Sequence, residues 1–318
     1  MKLRIFVTGA TGFVGSHFLN NLKDPEWEIY GICFPDEPRF EQVSLKCQVK
    51  RTDIRCEKDI EDLIGSSQPD YVFHFAAISN VGQSWKKRKE TFEVNVTGTF
   101  FLLEAVRKQA PQARVLFVSS SEVYGLLHSK FHPLIESDSV NPVSPYAFSK
   151  LSGENLCRFY HQIEDLDIVI ARSFPHTGPG QSPDFVCSDW ASQIARMEAG
   201  LSPPLIKVGN VKVKRDFVDV RDVVRAYDSL LKKGKKGELY NICSGEAISL
   251  NRILDILLEA ARVKIDVEAD EARIRKFDIP VLVGDNQKIK NEISWAPEIP
   301  IEQSVLDLLQ YWRDVYHS

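Results

Sequence analysis

Short continuous apolar runs alternate along this chain with longer stretches in which apolar residues return every three or four positions. That alternation predicts strands each followed by a helix. Leu3, Ile5, Phe6 and Val7 make the first run, with the β-branched and aromatic content of a buried strand, and Phe13, Val14, Phe18, Leu19 and Leu22 then keep helical spacing. Residues 27–33, 47–51, 71–77 and 114–118 repeat the strand signal. Of these, 71–77 (YVFHFAA) is apolar throughout, as in a parallel strand covered on both faces, with His74 read as a packed core histidine. A helix is expected within 84–109 on Phe92, Val96, Phe100 and Leu103, with Asn95 inside it. Another begins at Tyr146, after the break Asn141-Pro142-Val143-Ser144-Pro145. Further on, 219–231 reads as a helix and 238–243 as a strand returning to the first domain. Ser249 caps a helix whose Leu250, Ile253, Leu254, Leu257 and Leu258 form a core stripe, and 302–316 is a tail helix. The expected fold class is α/β, with a doubly wound parallel sheet.

Composition narrows the class. With 318 residues, 43% of them hydrophobic, the chain is long enough for a full core and is not a disordered one. Its 40 basic and 44 acidic side chains balance, which argues against nucleic acid as a partner. Six cysteines lie far apart with no C-x-x-C pair, so neither a zinc site nor a disulfide framework is expected, and no metal is assigned. No apolar run is long enough to suggest a signal peptide or a membrane span, and the expectation is a soluble, cytoplasmic protein.

The candidate chemistry starts between the first strand and helix. Gly9, Gly12 and Gly15 occupy that turn, where missing side chains let backbone N–H groups reach a pyrophosphate. The turn reads as a nucleotide-binding one, although the Gly9-x-x-Gly12-x-x-Gly15 spacing differs from the common dinucleotide fingerprint and an ordinary tight βα turn is the alternative. The end of the second strand does not choose the dinucleotide: Asp36 would favour NAD and Arg39 NADP, and each also reads as a solvated loop charge. Asp53 and Ile54 end the third strand, where adenine would lie, and the small Ala76 and Ala77 end the fourth. Residues 119–125 (SSSEVYG) follow the fifth strand, at the sheet end where α/β proteins bind ligands. Tyr146 and Lys150 project from one helical face, and an ammonium near a phenol is expected to favour the phenolate and bring it into range of acid–base work.

With TGATGFVG, Asp53-Ile54, FAA, SSSEVYG and YAFSK in this order, the chain resembles the extended short-chain dehydrogenase/reductase family, nearly end to end. The resemblance implies a Rossmann domain at 1–172, with 217–245 returning to it, and a smaller C-terminal α/β nucleotide-sugar-binding domain at 173–216 and 246–318. By the same mapping Gly9, Thr11, Gly12, Phe13, Val14, Gly15, Asp53, Ile54, Ala76 and Ala77 bind the cofactor, NADP(H) or NAD(H), with Tyr146 and Lys150. Ser120, Tyr146 and Lys150 are its catalytic set, joined by Glu122. Residues 172–181 (RSFPHTGPGQ), 208–210, 215–222 (RDFVDVRD) and 275–280 look like the corresponding segments of GDP-4-keto-6-deoxy-D-mannose reductases. The substrate contacts so implied are Ser120, Ser121, Glu122, Tyr146, His176, Val186, Asn210, Arg215, Arg275 and Asp278, with Arg215 and Arg275 on phosphate or ribose. A guanidinium fork suits that task. Pro175 stands where the group usually has Asn, and Lys276 and Phe277 replace a Pro and a small polar residue.

These residues imply hydride transfer to the C4 keto carbon of a GDP-linked 4-keto-6-deoxy sugar, with Tyr146 protonating the oxygen, Ser120 holding it and Lys150 on the cofactor ribose. The product would be GDP-D-rhamnose or its talose epimer. Glu122 supports a rival, a nucleotide-sugar 4,6-dehydratase or epimerase. A non-catalytic dinucleotide-binding regulator is the alternative from another class, and the joint presence of Ser120, Tyr146 and Lys150 weighs against it. The resemblance also implies a homodimer through helices at 84–109 and 146–163.

Overall fold

The computed structural model describes residues 2–22, 27–34, 40–126, 132–273 and 279–317. Six strands appear in turn as β1 (Arg4–Thr8), β2 (Glu28–Cys33), β3 (Gln48–Arg51), β4 (Tyr71–His74), β5 (Arg114–Ser120) and β6 (Asp167–Ser173), joined by a late strand, Leu239–Ile242. All seven are parallel, in the order Leu239–Ile242, β6, β5, β4, β1, β2, β3. The order reverses between β1 and β4, and a doubly wound sheet opens its ligand crevice at the carboxyl ends beside such a reversal.

The continuous apolar runs are explained by covering on both faces. Ile5 and Val7 of β1 enter one core cluster with Phe18, Leu19 and Tyr227, while Phe6 between them enters the other with Ile60, Leu102 and Val106. Leu116 and Phe117 of β5, and Val169 and Ile170 of β6, divide in the same way. The covering helices are Phe13–Asn21 and Val220–Lys233 on the first face, and Glu57–Ser67, Gly98–Gln109 and Pro145–Glu164 on the second.

Two expectations change. The helix expected at 84–109 is four pieces: Val81–Lys86, Arg88–Phe92, a π-helical turn Glu93–Thr97, and Gly98–Gln109. The wider π turn accommodates Asn95 as a buried residue, and Gly98 lets Ile54 approach so closely that a Cβ there would stand 2.8 Å from its Cγ2. The second change concerns the C-terminal third. Helices Val186–Glu198, Leu250–Glu259 and Ile301–His317 share their own cluster around Trp190, Ile253 and Leu308, whereas Ile289, Ile293 and Trp295 pack back into the sheet's first cluster. Residues 246–318 therefore do not all belong to the smaller lobe's core. Ser249 caps Leu250–Glu259 as expected, accepting the Arg252 N–H at 3.1 Å.

Candidate functional site

Between β1 and the helix Phe13–Asn21 the backbone is compressed. Gly9 has φ +68°, and a Cβ on it would stand 2.8 Å from the Ala76 nitrogen; one on Gly15 would stand 2.2 Å from the Gly9 carbonyl oxygen. The helix begins at Phe13 without a side-chain cap, so its first N–H groups and positive dipole end are available to an anion. Gly15→Ala displaces the Gly9 carbonyl, and we expect it to weaken NADPH or NADH binding by about tenfold or more in a fluorescence titration, roughly the 1.4 kcal/mol of one lost anion contact.

This turn forms one wall of a cavity of about 730 Å³ at the carboxyl ends of the strands. Gly9, Gly12, Phe13, Val14, Gly15 and Ala77 line it, as do Ser120, Ser121, Glu122, Tyr146 and Lys150. Thr11, buried within the turn, and Ala76, which backs Gly9, stand outside the wall. So do Asp53 and Ile54. The Asp53 carboxylate is gripped by Arg55 at 2.6–3.1 Å, and those hydrogen bonds hold it below the usual carboxylate range, while Ile54 is in the core. Asp36, Arg39, Arg275, Lys276, Phe277 and Asp278 lie outside the described residues.

The central side chains are placed by element ends. Ser120 closes β5, and its Oγ accepts the Glu122 N–H at 3.2 Å, capping the 3₁₀ turn Ser121–Tyr124. Ser144 caps the helix Pro145–Glu164 by accepting the Ala147 N–H at 3.1 Å, with Pro145 at its first position, so Tyr146 and Lys150 start a well-anchored helix. The structure corrects the expected electrostatics. Burial pushes the Tyr146 phenol up to about 12; a Ser120 hydrogen bond pulls it down and the Glu122 charge adds to the rise. The Lys150 charge is not among the causes that move it; that ammonium donates to the Val118 carbonyl at 2.8 Å and is itself lowered to about 8 by burial. The resting phenol is a protonated acid. Beside it the Ser121 hydroxyl is buried without a protein partner among the described residues, a polar atom left for a ligand.

The opposite wall comes from residues after β6. His176 donates through Nδ1 to the Phe174 carbonyl at 3.0 Å and lies parallel to the Phe13 ring, 6.1 Å away. Val186 opens its helix, Asn210 Oδ1 accepts the Lys212 N–H at 3.2 Å, and Arg215 reaches the wall after donating to the Lys214 and Ile279 carbonyls at 2.9 and 2.6 Å. Pro175 lines the cavity too. Sequence reasoning missed Asn80, Asp189, Trp190 and Arg273, all in the wall. Asn80 carries a helix-cap signal, and its side chain caps Val81–Lys86 by accepting the Gln83 N–H. Asp189 and Arg273 pair at 2.9 Å across 84 residues, which no local pattern announces.

Behind the site sits a buried ion pair. Arg172 forks onto Glu154 at 2.8 and 2.7 Å, Ser119 donates to the same carboxylate at 2.6 Å, and Glu154 is fully buried. This cluster fixes the end of β5 next to Ser120.

A glycine turn that shares one cavity with Ser120, Tyr146 and Lys150 is the arrangement of an extended short-chain dehydrogenase/reductase. The chain belongs to that family's GDP-mannose 4,6 dehydratase group, whose family model matches residues 6–308. It is 34% identical over 98% of both chains to GDP-6-deoxy-D-mannose reductase of Pseudomonas aeruginosa. Among solved structures it is similar to RMD from Pseudomonas aeruginosa complexed with NADPH (TM-score 0.86, 32% identity, 98% of this chain and 99% of that one). It is also similar to the UDP-glucose 4-epimerase of Thermus thermophilus in complex with NAD (TM-score 0.89, 26% identity, 98% and 99%). Enzymes of this family are oxidoreductases, and this chain is one of them. Among the described residues no helix is long and apolar enough to cross a membrane, and no group of side chains is arranged to hold a metal.

Proposed function

We propose that the protein is an NAD(P)H-dependent reductase of the C4 keto group of a GDP-linked 4-keto-6-deoxy sugar. The observation that carries this reading is Tyr146, a buried phenol that shares with Ser120 the cavity the glycine turn also lines, its pKa pushed up by burial to about 12. A reduction needs a proton for the new alkoxide, and a phenol held at about 12 keeps that proton at neutral pH. The relatives' names point the same way.

The cofactor is a nicotinamide dinucleotide, and the residues fit it. Gly9 and Gly15 leave a cradle that any Cβ would fill, and Lys150 has ammonium hydrogens beyond the one given to Val118. When bound, the reduced dinucleotide supplies the hydride. Ser120 holds the substrate oxygen, Tyr146 donates a proton to it through Oη, and Lys150 offers its remaining hydrogens to the cofactor ribose. Arg215 places a guanidinium where a diphosphate would need one. The smaller lobe, 173–216 with most of 246–318, closes over the nucleotide sugar and excludes water. This reading includes a homodimer, for the helices 98–109 and 145–164 carry exposed Phe100, Phe148, Phe159 and Ile163.

Glu122 in the cavity wall favours one second reading, a 4,6-dehydratase or epimerase that recycles its own dinucleotide. Incubation with GDP- and dTDP-linked 4-keto-6-deoxy sugars, each with NADH and NADPH, separates the two. A reductase consumes one reduced nicotinamide per sugar and yields a 4-hydroxy product with the GDP sugar. Unchanged absorbance at 340 nm with both sugars would remove the reductase reading.

A further inference from the structure

His74 ends β4 inside an apolar run, and each of its ring nitrogens meets a threonine. Nδ1 lies 2.8 Å from Thr8 Oγ1 and Nε2 lies 2.8 Å from Thr99 Oγ1, with the ring fully enclosed between the sheet and the helix Gly98–Gln109. The direction of each bond follows from its neighbours. Thr99 gives its one hydroxyl proton to the Asn95 carbonyl at 2.7 Å, so it accepts from His74 and the imidazole proton sits on Nε2. Burial and the Lys150 charge lower the imidazole to about 3, so it is neutral and Nδ1 accepts the Thr8 proton. Thr8 in turn accepts the Ala76 N–H at 3.1 Å.

The line continues toward the acid. Asn95, turned inward by the π turn, accepts the Ile78 N–H at 2.8 Å and donates to the Ile78 carbonyl at 3.0 Å and to Ser149 Oγ at 2.9 Å. Ser149 donates to the Tyr146 carbonyl at 2.8 Å. At the other end Thr8 precedes Gly9, and Ala76 is the residue against which Gly9 is pressed. Every hydroxyl and amide hydrogen between these ends has one acceptor, so the directions are unique. Packing alone does not require this, since an apolar ring of similar shape with apolar partners fills such a space at little cost in stability.

We infer that His74 is a positioning residue: through Thr8 and Thr99 it holds the dinucleotide turn and the Tyr146 helix in one register, so that phenol and cofactor meet the same carbonyl. This rests on the reading of Tyr146 as proton donor. The test uses Thr99→Val, which is nearly isosteric and cuts the Nε2 bond, His74→Phe, which cuts both bonds, and the double variant. His74→Gln is the conservative variant, because its amide nitrogen can still donate toward Thr99. Turnover is followed at 340 nm with a saturating 4-keto sugar and reduced dinucleotide. Each single change is expected to lower kcat about ten- to a hundredfold, as small misplacements do, with both KM values within about twofold of the original. The double variant should be no slower than the slower single one, since a line cut once is already cut, and His74→Gln should recover part of the loss. A merely structural role would raise KM with falling stability and give losses that multiply. Unchanged kcat in Thr99→Val, or multiplying losses in the double variant, overturns the assignment. If His74→Phe does not fold, Thr8→Val, Thr99→Val and their double carry the same comparison. Full activity in Tyr146→Phe would instead sink the proton-donor reading, whereas a dead Tyr146→Phe beside an unimpaired Thr99→Val would sink the positioning role alone.

Discussion

Tyr146→Phe is expected to lower kcat by about two to four orders of magnitude, the usual contribution of a placed general acid, while NADPH or NADH still binds. The ring survives this change, and only the hydroxyl is lost. A fluorescence titration of the dinucleotide and a stopped-flow trace of its oxidation separate binding from chemistry, and a variant that turns over at the original rate would refute the role. The pH profile adds a second mark. Lys150 is lowered to about 8, so its charge is present below that pH and lost as pH rises through it. In the reading proposed above that charge serves the cofactor ribose contact, and kcat/KM of the parent enzyme should therefore fall above about pH 8. In Tyr146→Phe the residual rate should keep that limb, because Lys150 is unchanged.

The second large effect is on stability. Glu154→Gln removes the charge that balances Arg172, which is 2% exposed, and turns one of the two acceptor oxygens shared by Arg172 and Ser119 into a donor. Breaking one side of a buried pair leaves the other charge stranded, at a cost of about 3–5 kcal/mol. The urea midpoint should shift down accordingly with the slope unchanged. Replacing both partners, as Glu154→Leu with Arg172→Met, should cost less than Glu154→Gln alone, since an apolar pair strands no charge. A shift under about 1 kcal/mol for Glu154→Gln would mean that Arg172 finds another partner or water.

The glycine turn is legible in the sequence because its causes are local: an apolar run, three glycines and a helical stripe lie within twenty residues. Tyr146 and Lys150 are legible as a pair for the same reason, one turn apart on one helix. Their electrostatics are not. What lowers Lys150 is burial, created by the packing of Pro145–Glu164 on β5, and what raises Tyr146 is burial too, neither of which a spacing of four residues announces. The π turn is hidden because Phe92, Val96, Phe100 and Leu103 satisfy an α-helical spacing whether or not one turn is widened. His74 reads correctly as a core residue, yet its polar partners come from Thr8 and Thr99, 66 and 25 residues away. The return of Ile289 and Trp295 to the sheet has no signal, since their spacing fits the core of either lobe.

The late strand Leu239–Ile242 has a consequence for how this chain is made. It pairs with β6 through Leu239 opposite Ile170, and all the intervening residues 174–238 must leave the ribosome first. At 5–20 residues per second that is roughly three to thirteen seconds during which β6 is the border of the nascent sheet, its outer N–H and C=O groups unpaired. Arg172, on that border, already has Glu154 available in the preceding helix, so the buried charge can be neutralised before the last strand arrives. The hazard of this topology is thus one of timing: an unfinished sheet with an open margin is the species a chaperone would be expected to meet.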